Sequence, residues 1–314
     1  MDRLNLKGQK IAITGGAGFI GSHLVDAVLT AGGEVIVVDD FSTGRRSNIA
    51  HALPHIELRE GSITDLAFLE RALAGATAIL HQAALPSVPK SVALPLETHS
   101  ANSTGTLCVF MAAAKLGVKR VVYASSSSVY GDTAILPKVE TMALDPLSPY
   151  AVHKATAELY AKVFHRLHGL ETIGLRYFNV FGPRQNPDSE YAAVIPKFVT
   201  LMKQGQAPHI HGDGSQTRDF TFVDNVVDAN LLALAAKDGF GTAYNIAAGR
   251  RVSLDELVEH LNGLLGTSLA PLHGQPRPGD IKDSYADIGK ARKALGYEAS
   301  VSFEEGLRRT VDSF

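Results

Sequence analysis

Residues 9–40 leave this chain few folds to choose from. Residues 9–14 (QKIAIT) form a short apolar run of the kind that makes a buried strand. Gly15-Gly-Ala-Gly18-Phe19-Ile20-Gly21 follows, residues 22–31 carry helical periodicity, and Val35-Ile-Val-Val38 is a second buried strand ending in Asp39-Asp40. Glycines at this spacing are weak evidence alone. Between a strand and a helix, with an acid eighteen residues beyond Gly21, they have a specific physical reading. Gly15 permits a tight turn, Gly18 lets backbone N–H groups approach a pyrophosphate at the helix N-terminus, and Gly21 lets helix and strand pack closely. Asp39 is placed to accept hydrogen bonds from an adenosine ribose and to repel a 2′-phosphate. The stretch therefore predicts a dinucleotide site preferring NAD to NADP, with Phe41-Ser42-Thr43-Gly44 lying along the adenosine.

The first half of the chain continues the alternation. Residues 58–63 read as a third strand and turn, and Ser62 and Ile63 at its end join the cofactor set. Asp65 is expected to cap a helix over 66–73. Residues 77–81 are a fourth strand, ending at Gln82-Ala83-Ala84, where small residues let the backbone lie against the cofactor. A long helix over 93–116 carries Asn102; residues 121–124 and 172–175 are the fifth and sixth strands. Six strands alternating with helices predict an α/β, doubly wound parallel sheet of the Rossmann type, with ligands beyond the strand C-terminal ends. After Arg176, prolines interrupt a mixed region of short strands and helices. The expected division is an NAD-binding domain over 1–178 and a smaller α/β substrate-binding domain over 179–314, some of whose segments return to the sheet.

The chemistry centres on Tyr150-Ala-Val-His-Lys154 and the serine run 125–128 before it. A Tyr and a Lys four apart share one helical face. Pro146 and Pro149 mark the turn that opens that helix. A nearby ammonium favours the phenolate, so the Tyr150 pKa is expected to fall below its usual value of about 10. A phenol so tuned takes a proton from a sugar or alcohol hydroxyl and returns it. A serine hydroxyl from the preceding strand end is expected to hydrogen-bond the same oxygen.

Composition excludes other classes. A formal net charge of -2 gives no general attraction to nucleic acid or an anionic membrane. The single cysteine, Cys108, forms no internal disulfide, which suits a reducing cytoplasm, and its expected place is a buried helix face. No apolar stretch reaches the ~18 residues of a spanning helix, and the first residues lack a signal-peptide apolar region. The twelve histidines show no ligand spacing, so no metal is expected.

Taken jointly, residues 14–21, 125–131, Tyr150 with Lys154, Arg176-Tyr-Phe-Asn-Val-Phe-Gly182, Arg218-Asp-Phe and Arg277-Pro-Gly-Asp280 resemble the extended short-chain dehydrogenase/reductases of the UDP-sugar 4-epimerase group. Leu147-Ser-Pro-Tyr150 and Tyr191-Ala-Ala-Val-Ile-Pro-Lys197 are similar to bacterial members that prefer UDP-N-acetylhexosamines. The resemblance implies that Ser126, Tyr150 and Lys154 are catalytic, with Tyr150 as base and Lys154 also reaching the nicotinamide ribose. It assigns Tyr177 to the nicotinamide end and Asn179 to the sugar nucleotide. It assigns Val194, His209 and His211 to the uridine, Arg218 and Arg277 to the diphosphate, and Asp280 to the uridine ribose. Ser87, Ser127 and Ser284 fall where the hexose is held, with Ala193 beside the sugar and Lys197 in the same substrate set. A homodimer through the helices over 93–116 and 150–168 is the family expectation.

There are departures from the family pattern. Ser62 stands where many members carry an Asp, Pro86 replaces a Lys near the diphosphate, and the two histidines are not the usual residues of a uracil pocket. The implied reaction is interconversion of UDP-GlcNAc and UDP-GalNAc, with UDP-Glc and UDP-Gal also admitted, through a 4-keto sugar. A 4-epimerase without N-acetyl activity, a 4,6-dehydratase or decarboxylase, and a non-catalytic NAD-sensing regulator are the alternatives. The dehydratase pattern places an Asp-Glu pair where this chain has Ser127-Ser128, and hydroxyls do not replace carboxyls as proton shuttles at neutral pH. The regulator should lack part of the Ser/Tyr/Lys set, which is complete here.

Overall fold

The computed structural model describes residues 4–187, 193–275 and 282–314. Its strands are β1 (Lys10–Thr14), β2 (Glu34–Asp39), β3 (Ile56–Glu60), β4 (Ala78–His81), β5 (Arg120–Ser126), β6 (Glu171–Tyr177), β7 (Val180–Phe181), β8 (His209–His211), β9 (Thr217–Arg218), β10 (Thr221–Phe222), β11 (Thr242–Ile246), β12 (Val252–Ser253) and β13 (Leu272–Gly274). The α-helices are α1 (Phe19–Thr30), α2 (Leu66–Ala72), α3 (Val88–Ala93), α4 (Pro95–His99), α5 (Gly105–Leu116), α6 (Pro149–His168), α7 (Val194–Lys203), α8 (Val223–Ala235), α9 (Leu254–Leu265), α10 (Gly289–Leu295) and α11 (Phe303–Ser313).

One seven-stranded sheet, in the order β11-β6-β5-β4-β1-β2-β3, is parallel throughout. Side chains alternate across it with period two. Ile11 and Ile13 of β1, Val35 and Val37 of β2 and Val122 of β5 join a core with α1 and α8. Ala12, Ile36, Val38, Val121 and Tyr123 face the opposite core with α2, α5 and α6. A strand buried on both faces has no polar side to show, which is why these segments read as continuous apolar runs. The strand order reverses between β1 and β4, opening a crevice beyond their C-terminal ends.

The seventh strand lies well beyond residue 178. β11 pairs with β6 from Ile173 to Tyr177, and Tyr244 and Ile246 enter the same core as β1. A third core, around Phe181, Phe198, Phe220, Phe222 and Phe303, gathers α7, α9, α11 and the short strands after residue 180. The later residues thus build their own core and also lend one strand to the main sheet.

The expected single helix over 93–116 is instead a broken path. Pro95 begins α4 after Leu94, and residues Ser100–Thr104 form a π-helical turn before α5. That turn carries Asn102, whose Nδ2 donates to the Leu85 carbonyl and whose Oδ1 accepts from the Leu85 N–H. An α-helical pattern read over the whole stretch did not register the π-turn, because five residues, Ser100–Thr104, are too few for their i→i+5 bonding to stand out from the α-helical turns on either side. The other local expectations hold: Asp65 caps α2 by accepting from the Phe68 N–H, and α6 runs from Pro149 to His168 behind a Ser148 cap.

Candidate active site

The β1–α1 turn closes on the β4 end with almost no space between. Gly15 adopts φ +70°, and a Cβ there would sit 2.7 Å from the Ala83 nitrogen. A Cβ on Gly21 would lie 2.0 Å from the Gly15 carbonyl oxygen. Glycine is therefore required by contact at both positions. Phe19 and Ile20 begin α1 over this turn. Asp39 is 7 % exposed at the end of β2; its carboxylate accepts from the Ala17 N–H at 2.8 Å and the Phe41 N–H at 2.8 Å. Burial raises its pKa, while those two bonds pull it down. Asp40 accepts from the Ser42 N–H, and Gly44 passes so close to Asp39 that a Cβ would meet its carboxylate at 2.9 Å. Phe41 adopts φ +57° and lies under the Arg46 guanidinium. Ser62 bonds Thr64, and Ile63 is packed against Gly105. Gln82 accepts from the Tyr177 hydroxyl at 3.2 Å and donates to Asn230 at 3.1 Å, with Ala83 and Ala84 beside it. Asn102 bonds Leu85 through both ends of its amide, so it holds the loop Gln82–Leu85 in shape.

Four residues in this region carry weight that sequence reading did not assign. Thr14 and His81 bond across β1 and β4 at 2.6 Å, and His81 reaches Thr106 at 2.9 Å. Burial, helped by the Lys154 charge, lowers the His81 pKa to about 3, so it stays neutral and can bridge two hydroxyls. Asn230 holds Tyr177 and Gln82 together. Ser91 accepts from the Tyr150 N–H at 3.0 Å and ties the start of α6 to α3. The available signal was a polar residue within an apolar helical stripe, which Asn230 shows in α8.

Ser126, Tyr150 and Lys154 converge where β5 ends and α6 begins. Ser126 Oγ accepts from both the N–H and the hydroxyl of Ser128, which leaves its own proton for Tyr150, its hydrogen-bond partner. Lys154 Nζ donates to the Ala124 carbonyl at 2.8 Å and lies 5.8 Å from the centre of the Tyr150 ring. The expected fall in the Tyr150 pKa does not occur in the chain itself. Burial pushes it up to about 12, and the Ser126 hydrogen bond only offsets this in part. The reason is that desolvation penalises the phenolate, while the ammonium is directed to a backbone carbonyl. The same burial lowers Lys154 to about 8. Tyr150 therefore stands as a neutral phenol at pH 7.

Beyond this group, a cavity of about 250 Å³ is lined by Asn179, Ala193, Val194, His209, His211 and Arg218 among others. These are six of the expected substrate residues. His209 and His211 share a face of β8, with ring centres 4.7 Å apart, while Ile210 between them enters the core. Arg218 Nη1 donates to the Thr217 and Lys282 carbonyls. Asn179, held at φ +35°, donates to Ser284 Oγ at 3.2 Å, and Ser284 is buried. Ser87 uses its hydroxyl to cap α3, Ser127 opens the short 3₁₀ turn after β5, and Lys197 is exposed on α7 outside the cavity lining. Arg277 and Asp280 lie outside the described residues. Among the described residues no group of three or more His, Cys, Asp or Glu side chains is arranged to hold a metal ion.

A parallel sheet with a glycine turn at its switch point and a Ser/Tyr/Lys set on the same edge defines an extended short-chain dehydrogenase/reductase. Residues 11–247 match the model of the NAD dependent epimerase/dehydratase family, and the chain belongs to that family. It is similar to the UDP-glucose 4-epimerase of Mycolicibacterium smegmatis, 38% identical over 98% of both chains. Among solved structures it is similar to a UDP-N-acetylglucosamine 4-epimerase from Methanobrevibacter ruminantium, in complex with UDP-N-acetylmuramic acid, at TM-score 0.94 and 39% identity over 98% of both chains. The UDP-glucose 4-epimerase of Thermotoga maritima with UDP-glucose matches at TM-score 0.93 and 39% identity over 98% of both chains. NAD is the cofactor of this family, and the residues present fit it: glycines hold a tight turn at the start of α1 where side chains would collide with backbone, and a carboxylate stands at the end of β2.

Two outcomes follow from this geometry. Gly21→Ala has no place for its methyl beside the Gly15 carbonyl, so the purified variant should release little or no NAD on denaturation; wild-type NAD content would refute the role of the turn. Lys154→Met should lose activity and gain stability at pH 7. The folded-state pKa of Lys154 is depressed from its usual 10.5 to about 8, so the unfolded chain binds the extra proton between those values and the burial penalty is in force below about pH 8. After allowing for the lost hydrogen bond to Ala124, the gain should be on the order of 1–2 kcal/mol and should shrink as pH rises from about 8 towards 10.5. Denaturant melts at pH 7 and pH 10 test this; a variant destabilised at pH 7 counts against it.

Proposed function

We propose that this chain is an NAD-dependent 4-epimerase of UDP-sugars that accepts UDP-N-acetylhexosamines, and UDP-hexoses as well. The observation that carries the reading is the Ser126–Tyr150 pair, with the hydroxyls of Ser127 and Ser128 rather than carboxylates at the next two positions. A proton relay without an adjacent acid pair suits reversible oxidation at one carbon and does not suit elimination of water. NAD bound here supplies a hydride acceptor that later becomes the donor, and its oxidised ring carries positive charge that favours a phenolate. Ser126 and Tyr150 exchange the proton of the sugar 4-hydroxyl, and Lys154, held on Ala124, keeps its charge beside the ring. Arg218 and the histidine-lined cavity hold the nucleotide end, with Arg277 and Asp280 completing that set. The hexose turns between removal and return of the hydride, so it must be held more loosely than the nucleotide.

The N-acetyl preference rests on Ser284. Its small hydroxyl accepts a hydrogen bond from Asn179, which lines the cavity, and an aromatic ring at this buried position would have to displace that contact and crowd the sugar side. The similarity to an N-acetylglucosamine 4-epimerase supports it, while the UDP-glucose enzymes at the same similarity support the wider range. Purified enzyme, with no added NAD, should bring both UDP-GlcNAc and UDP-Glc to equilibrium with their 4-epimers, followed by proton NMR. Ser284→Tyr should lose the first conversion and keep the second; a variant that treats both alike would defeat the specificity reading, and no conversion of either sugar would defeat the reaction.

We also propose a homodimer. Val152, Leu159, Val163 and Leu167 form an exposed stripe along the outer side of α6, with Leu96 and Met111 exposed on neighbouring helices. An apolar stripe of this length on adjacent helices suits a helical interface between two copies. No helix among the described residues is long and apolar enough to cross a membrane. Leu159→Glu with Val163→Glu should yield a monomer of 33.4 kDa by light scattering that still retains NAD; an unchanged dimer would place the interface elsewhere.

A further inference from the structure

Glu158 sits two turns after Tyr150 and one after Lys154, on the same side of α6. Its side chain is nearly inaccessible, as is that of its partner Arg176 on β6. Arg176 donates Nε to Oε1 at 2.9 Å and Nη2 to Oε2 at 2.7 Å, a bidentate pair. Ser125 donates its hydroxyl to the same Oε1 at 2.5 Å. Ser125 and Ser126 are successive residues of β5, so their side chains leave opposite faces of the sheet. Gripping Ser125 on the α6 side thereby fixes the rotation of the strand end that presents Ser126.

The hydrogen bonds continue. Arg176 Nη1 donates to the Tyr130 hydroxyl at 2.7 Å, and that hydroxyl donates to Asn245 Oδ1 at 2.6 Å. Asn245 Nδ2 donates to the carbonyls of Lys138 at 2.9 Å and Asp287 at 3.1 Å. Lys138 in turn pairs with the segment that carries Ser284, through its N–H to Tyr285 and its carbonyl to Asp287. Each donor and acceptor along this path is matched, and most of the path is buried. Direct contact of Ser125, Glu158 or Asn245 with substrate is not needed for them to matter.

We propose that Ser125, Glu158, Arg176, Tyr130 and Asn245 form a positioning framework that couples the Ser284 segment to the Ser126–Tyr150 pair. It holds the hexose side of the pocket and the proton relay in one register. The framework rests on the epimerase reading for its consequence in catalysis and on geometry alone for its existence.

Tyr130→Phe removes one hydroxyl and leaves the ring in the core. It should lower kcat about tenfold while KM for the UDP-sugar and NAD content stay within about twofold of wild type. Ser125→Ala should do the same, and the double variant should lose less than the product of the two. Amide hydrogen exchange, which needs no substrate, should quicken about tenfold in Tyr130→Phe both at residues 284–287 and at the end of β5. Unchanged kcat, or exchange confined to the neighbours of residue 130, would overturn the framework. Wild-type enzyme that turns over no UDP-sugar would strike the proposed reaction instead, and the exchange experiment would still decide the framework.

Discussion

Two backbones meet at the end of β1 with no room for a side chain between them. Gly15 faces the Ala83 nitrogen and Gly21 faces the Gly15 carbonyl, both within what a Cβ would need. This approach fixes where α1 starts, how far β4 extends and therefore where the crevice opens. Thr14 and His81 bond across the same two strands just below, and Asn102 clamps the loop that leaves β4. The candidate active site lies over that junction. Asp39 and Ser126 stand at the ends of β2 and β5, and Tyr150 and Lys154 reach the same edge from the first turns of α6.

Proton chemistry at the site is governed by burial more than by charge pairing. Tyr150 and Lys154 are both desolvated, and each is pushed towards its neutral form. That arrangement gives a phenol near 12 beside an amine near 8, so the chain alone favours a neutral phenol at pH 7. Among the described residues, the Ser126 hydrogen bond is the one contact that lowers the phenol. A site of this kind does not hold a standing phenolate; a bound oxidised nicotinamide would add positive charge that favours one.

The region after residue 178 is built with less backbone redundancy. β7, β9, β10 and β12 are two-residue strands, and their paired sheets have two strands each. The phenylalanine core around Phe181 and Phe303 supplies the stability that so little sheet cannot. Buried polar side chains then set the finer positions. Asp219 accepts from the N–H groups of Ala248 and Ala286, and Asn179 donates to the Ser284 hydroxyl oxygen.

The strand–glycine–helix–strand–acid order, the Tyr150–Lys154 spacing and the apolar runs were legible in the sequence because each depends on local chemistry. Apolar periodicity selects strand or helix, a tight turn selects glycine, and a helix places residues four apart on one face. The six strands read in this way all lie in the main sheet. The seventh, β11, escaped because pairing between residues 173 and 242 is a contact over a distance that no local pattern encodes. The π-turn at Ser100–Thr104 escaped because a single turn of i→i+5 bonding between helical segments has no distinctive residue pattern of its own. The Tyr150 pKa was read in the wrong direction because spacing reveals the lysine but not how deeply the phenol is buried or where the ammonium points. Sequence alone determined which groups are present and which local elements carry them. Only the tertiary structure decided their depth, their partners and the buried path from Glu158 to Asn245, because desolvation and long-range hydrogen bonds exist only once distant segments are packed together.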